Sequence, residues 1–184
     1  MDYSDIRDLL PHSGPMVLLD QVVAADDESL CAEVRVREDS LFYVDGAVGG
    51  WVGLEYMAQT IGAFAGYSAR LRGEPVRIGY LLGTRHYECK QPSFHLGSRL
   101  KIYVKRVLQS ADGLAAFDCR IDDENGLVAS ANLTVFQSAD GANIKVMPQT
   151  PASATNPDLK DRDVAVKGCI WTCKGQKRVT WAEV

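Results

Sequence analysis

Histidine is scarce in this chain: His12, His86 and His95 are the only three in 184 residues. Any chemistry that needs an imidazole from this chain has only these to draw on. Cysteine has no framework. There are five, an odd number at unmatched spacings, which excludes a disulfide-stapled scaffold and fits free thiols in a reducing compartment. Cys31, Cys89 and Cys119 fall in strand-like runs and read as buried thiols. A basic run and a stacking motif are both lacking, and the net charge is -4, so general nucleic-acid binding is excluded. The opening MDYSDIRDLL is acidic and has no apolar signal core, so a cytoplasmic location is expected. A closed zinc site needs four ligands, and Cys169 and Cys173 in the tail supply only two; no metal is expected.

One long stretch almost lacks charge. From Gly46 to Ala69 the single charged residue is Glu55. After Trp51 the absence of proline and the run of Leu54, Met57, Ile61 and Phe64 predict a helix to Leu71. Apolar residues fall on nearly every face, so the expectation is a helix buried all round. Interior glycines weaken a helix by up to ~1 kcal/mol each relative to alanine, and make sense where another backbone comes close. The length and the spacings Gly49/Gly53 and Gly62/Gly66 would suit a membrane span. Glu55, Tyr56, Gln59 and Tyr67 interrupt it, and the flanks alternate like strands of a soluble sheet. A core helix whose Glu55 meets a structural partner is the plainer reading, and a lone carboxylate in such a segment also invites a functional one.

The rest of the chain supplies that sheet. Ser4 is a plausible cap for a short helix over 5–10. Strands are predicted over 16–25, 30–36, 76–89, 99–109, 115–122 and 127–137, with 37–45 irregular, His86 in a strand and His95 in a turn. Residues 100–105 alternate cleanly at period 2, and Asn125-Gly126 is a strong hairpin signal. Short turns between the later strands imply antiparallel pairing. The fold class is therefore α+β: an antiparallel sheet wrapped around one long helix. Residues 1–142 form the domain expected to bury one core. Residues 143–184 form a linker and tail, beginning in a stretch rich in Ala, Ser, Pro and Thr.

Three segments in series resemble the hot-dog-fold β-hydroxyacyl-acyl carrier protein dehydratases. Leu9-Leu10-Pro11-His12 with Pro15-Met16 resembles the family's Leu-Pro-His-Arg-x-Pro opening. Glu55-Tyr56-Met57-Ala58-Gln59 resembles the Glu-Ala-Met-Ala-Gln of its central helix. Leu81-Leu82-Gly83, Lys90-Gln91-Pro92 and Gly97-Ser98-Arg99-Leu100 resemble its later strand, Arg-x-Pro turn and Pro-Gly-Asp-x-Leu. Within that family the chain is most similar to the ApeP-type dehydratases of aryl polyene biosynthesis.

The resemblance implies dehydration of a (3R)-hydroxyacyl chain on an acyl carrier protein to the trans-2-enoyl thioester, without cofactor or metal. A histidine takes the α proton, a helix carboxyl protonates the departing hydroxyl, and a helix-terminal amide receives the thioester oxygen. The acid has to hold a proton, which an apolar setting favours. Glu55 takes that role, Gly50 supplies the oxyanion amide, and Gln59 and Tyr43 line the substrate. The chain departs from the pattern at Leu41-Phe42-Tyr43-Val44, where the family carries His-Phe-Pro-Gly. His12 is the expected substitute base; its other reading is a loop-fixing histidine bonded to nearby backbone. Implied partners are the carrier protein, with Arg70, Arg72, Arg77, Arg85 and Lys90 as an expected docking patch, and a second copy or a related hot-dog subunit that pairs as a dimer and can supply a histidine. A non-catalytic acyl-binding subunit and a hot-dog thioesterase are the alternatives.

Overall fold

The computed structural model describes residues 5–137. The predicted linker and tail, with Cys169 and Cys173, lie outside the described residues, as does Ser4. The helix α1 (Gly53–Leu71) follows a single 3-10 turn, Gly50–Val52. Around it run β1 (Gln21–Ala25), β2 (Ser29–Arg35), β5 (Tyr80–Cys89), β7 (Arg99–Gln109), β8 (Leu114–Asp123) and β9 (Gly126–Phe136). They form one six-stranded antiparallel sheet in the order β1-β2-β7-β8-β9-β5. A second sheet of β3 (Tyr43–Val44), β4 (Ala47–Gly49) and β6 (Ser93–His95) sits at the helix entrance.

Alternation along the strands explains the core. Leu100, Ile102 and Val104 of β7, Phe117, Cys119 and Ile121 of β8, and Leu30, Ala32 and Val34 of β2 are all buried. They point at Leu54, Met57, Ile61 and Phe64 of the helix, which are also buried. Phe64 meets Phe117 edge-on, with ring centroids 5.7 Å apart, a favourable aromatic arrangement. Gly126, at φ +112°, makes the β8–β9 turn in a conformation that favours glycine.

Several expectations are corrected. The strand predicted over 16–25 begins only at Gln21, because Pro15 lies in a 3-10 turn, Gly14–Met16. The strand predicted from 76 begins at Tyr80. The helix predicted over 5–10 is one 3-10 turn, Ile6–Asp8, capped by Asp5, which accepts the Arg7 amide at 3.0 Å. Residues 37–45 contain β3, and His95 ends a strand, β6, rather than lying in a turn. Nor is the helix buried all round: Glu55, Ala58, Gly62 and Ala65, at steps of three and four, form one half-exposed stripe.

The close backbone approach is at Gly66. A Cβ there would fall on the carbonyl of Leu9, well inside van der Waals contact. Among the described residues no helix is long and apolar enough to cross a membrane. β5 closes one side of the sheet, and none of its ten residues is fully buried.

Candidate active site

Glu55 lies in the first turn of α1, on the half-exposed stripe, so it is less enclosed than an apolar helix suggested. One turn on, Gln59 is completely buried. Both ends of its side-chain amide are engaged. Nε2 donates to Glu55 Oε1 at 3.0 Å and to the Met16 carbonyl at 2.7 Å, and Oε1 accepts the Leu18 amide at 2.9 Å. An amide nitrogen has two hydrogens, and both are spent here. Gln59 therefore holds the carboxyl of Glu55 and stitches the segment before β1 to the helix. The sequence placed Gln59 as a substrate contact; in the structure its side-chain amide bonds Met16, Leu18 and Glu55 of its own chain.

The Gly50 amide expected to receive the thioester oxygen is already engaged. It donates to the Pro92 carbonyl at 2.8 Å. The absence of a side chain at Gly50 has a different cause: a Cβ would meet Gln91 O at 2.7 Å and Cys89 Sγ at 2.9 Å. The Gly50 carbonyl accepts the hydroxyl of Tyr87, a residue that sequence reasoning missed. Burial, with the neighbouring Cys89, pushes the Tyr87 hydroxyl far above its ordinary pKa, so it acts as a neutral donor. Cys89 Sγ lies 3.0 Å from the Gln91 carbonyl. No sequence signal pointed to Tyr87, because it turns inward only through a register shift of β5 between Thr84 and Tyr87.

Tyr43 opens β3 and is half-buried, where the family's histidine segment would lie. Its neighbours Phe42 and Asp45 have φ of +70° and +51°. Positive φ is costly for a residue as bulky as phenylalanine, and Phe42 is braced by an edge-on contact with Trp51 at 5.3 Å. His12 is half-buried in its loop, and its Nδ1 is buried with no hydrogen-bond partner among the described residues. Among the described residues no loop-fixing bond runs through that nitrogen. His86 is exposed on β5, 3.6 Å from Glu88, and His95 is exposed at the end of β6. Two members of the expected docking patch already face acids of their own chain: Arg72 pairs with Glu74 at 3.2 Å and Arg70 with Asp8 at 3.7 Å.

An antiparallel sheet wrapped around one long central helix is the architecture of the hot-dog fold. A family model described as ApeP-like, ApeP dehydratase, matches residues 4–146, and the chain belongs to that family. A solved structure described as the dehydratase heterocomplex ApeI:P from Xenorhabdus doucetiae is similar at 33% identity and a TM-score of 0.70, covering 74% of this chain and 92% of that one. The 3-hydroxyacyl-[acyl-carrier-protein] dehydratase FabZ of Bartonella quintana is 29% identical over 142 residues, 74% of this chain and 89% of the relative. FabZ of Agrobacterium fabrum is 28% identical over 146 residues, 76% and 92%. A hypothetical thioesterase from Streptococcus pneumoniae, at 18% identity and a TM-score of 0.50, shares the fold alone.

Proposed function

We propose that this dehydratase removes water from a (3R)-3-hydroxyacyl thioester carried on an acyl carrier protein, giving the trans-2-enoyl thioester, with Glu55 as the acid. The observation that carries this assignment is the bond from Gln59 Nε2 to Glu55 Oε1. It occupies one carboxyl oxygen and leaves the other to carry the transferable proton. The base takes the proton from C2 of the acyl chain, and the C–H electron pair moves toward the thioester oxygen. The C3–O bond then breaks as Glu55 protonates the leaving hydroxyl. Water departs, the C2–C3 double bond forms, and the proton on the base returns to Glu55 through solvent. The reading draws on similarity to the FabZ relatives, which are 3-hydroxyacyl-[acyl-carrier-protein] dehydratases.

His12 is the base within this chain; its Nδ1, which has no hydrogen-bond partner among the described residues, supports that assignment. A second reading has specific support: no histidine occurs between Leu41 and Asp45. A second hot-dog subunit, either this chain's own copy or a relative, would then pair along the open edge of β5 and supply the imidazole. The similar chain in the ApeI:P structure is described as part of a heterocomplex, which supports such a partner.

The test is dehydration of 3-hydroxyacyl-carrier protein by the full chain, alone and with a co-purified hot-dog partner. Glu55→Gln is expected to lower turnover by on the order of 100- to 10,000-fold with acyl-carrier binding kept. Activity only with a histidine-bearing partner, unaffected by His12→Ala, assigns the base to the partner. Activity that survives both Glu55→Gln and His12→Ala removes this chain from the chemistry.

A further inference from the structure

We infer that Tyr87 is a positioning residue for the dehydration: its hydroxyl seats the turn from which Glu55 projects. The inference rests on the reading of Glu55 as the acid. The Tyr87 hydroxyl is lodged between the two glycines that begin the helix. It donates to the Gly50 carbonyl, and a Cβ on Gly53 would lie 2.5 Å from its oxygen. Gly50 is thereby held at both ends. Its carbonyl is taken by a side chain of β5, and its amide, 2.8 Å from Pro92 O, by the connection between β5 and β6.

The rest of this corner is built to fit. Gly53 N–H donates back to the Gly50 carbonyl, so that oxygen receives two donors. Glu55 stands two residues beyond Gly53, in the same turn. With Gln59 gripping the carboxyl from the C-terminal side, Tyr87 fixes the N-terminal side. The inward direction of Tyr87 depends on the slip in β5 register between Thr84 and Tyr87; an unbroken alternation would set its side chain differently. The hydroxyl hydrogen is committed to a carbonyl and the group is kept neutral by burial. Tyr87 is therefore not the missing base, and its effect on the reaction passes through the placement of Glu55.

The experiment is Tyr87→Phe in the full chain, with the partner subunit present if turnover requires it. The phenyl ring keeps the packing and removes the hydroxyl with its bond to the Gly50 carbonyl and its contact with Cys89. The expected result is a fall in kcat of about tenfold with KM within about twofold, and no further fall when the substitution is added to Glu55→Gln, as required of two residues acting as one unit. Amide hydrogen exchange is expected to quicken at residues 50–56 and to stay unchanged in β7, β8 and β9. Unchanged exchange at 50–56 overturns the inference whatever the kinetics. An equal loss of rate in the wild-type and Glu55→Gln backgrounds also overturns it, because the role would then be independent of Glu55. If the wild-type chain and its complex lack dehydration activity, the proposed function fails, and the exchange measurement alone still decides whether Tyr87 seats the turn.

Discussion

Gln59 and Glu55 are joined by a bond of 3.0 Å across one turn of helix, and the same Gln59 nitrogen reaches the Met16 carbonyl at 2.7 Å. The Glu55 carboxyl and the segment that leads into β1 are thus held by one side chain. Replacing Gln59 by leucine keeps the volume and removes three bonds. It leaves the Leu18 amide and the Met16 carbonyl without their partner, which costs on the order of 2–4 kcal/mol. Urea unfolding is expected to show that loss, and turnover is expected to fall by about tenfold or more because the Glu55 carboxyl is released. Wild-type stability in Gln59→Leu would show that these bonds contribute nothing net.

Gly66 and Gly62 invite opposite outcomes from the same substitution. Alanine is worth ~1 kcal/mol over glycine in a helix interior. At Gly66 the added methyl would fall on the backbone carbonyl of Leu9, which cannot yield without moving the whole segment. At Gly62 its nearest neighbour is Leu10 Cδ2, at 3.2 Å, the end of a flexible side chain. Gly66→Ala is expected to destabilise by about 1–3 kcal/mol, and Gly62→Ala to be neutral or slightly stabilising. Thermal unfolding of the two variants side by side checks the contrast.

Gly53 and Tyr87 are close enough to couple. Gly53→Ala brings a methyl onto the Tyr87 oxygen, 2.5 Å from the ideal Cβ position. Removing that oxygen with Tyr87→Phe makes part of the room. The double variant is expected to be more stable than the sum of the single effects by about 1 kcal/mol. A strictly additive cycle in chemical denaturation would show that the clash is relieved elsewhere, for example by Ile121, whose Cδ1 lies 3.0 Å from the same point.

Asp26 gives a pH signature. In the β1–β2 turn its carboxylate accepts the Glu28 and Ser29 amides, each at 2.8 Å, and the Ser29 hydroxyl at 2.8 Å. The backbone bond from Glu28 leads the causes that hold its pKa below the ordinary value of 3.8, followed by the bonds from Ser29. A depressed folded pKa gives stability that is present above the unfolded value and lost as pH falls through the folded one. The stability difference between wild type and Asp26→Asn is expected to be full at neutral pH and to shrink as the pH is lowered below 3.8. A difference that stays constant on acidification would assign the effect to shape rather than to charge.

Much of the sheet was legible because its strands are long and alternate. The range predicted for β7 is the range observed, Arg99–Gln109, and Asn125-Gly126 marks the β8–β9 turn where it occurs. β3, β4 and β6 went unread because two or three residues carry no measurable period. The helix was found, but its open stripe was not, since alanine and glycine look the same to hydropathy whether or not anything covers them. At the site, the motif spacing singled out Glu55 and Gln59 together. The partners of Gly50 could not be read, because Pro92 and Tyr87 approach it from about forty residues away through pairing and a register slip.

The place of β5 in the sheet also bears on the order in which the molecule assembles. β7, β8 and β9 are joined by short turns and can pair with little loop-closure entropy. β5 has to wait for β9, with Tyr80 pairing to Phe136 across the whole intervening meander. Tyr87 reaches the Gly50 carbonyl only when that strand docks, so the turn that carries Glu55 is expected to acquire its final geometry late in refolding. Pulsed hydrogen exchange should protect β8 before β5; the reverse order would refute this sequence of events. A chain halted just short of that step would carry most of its native sheet and still lack the finished corner around Glu55.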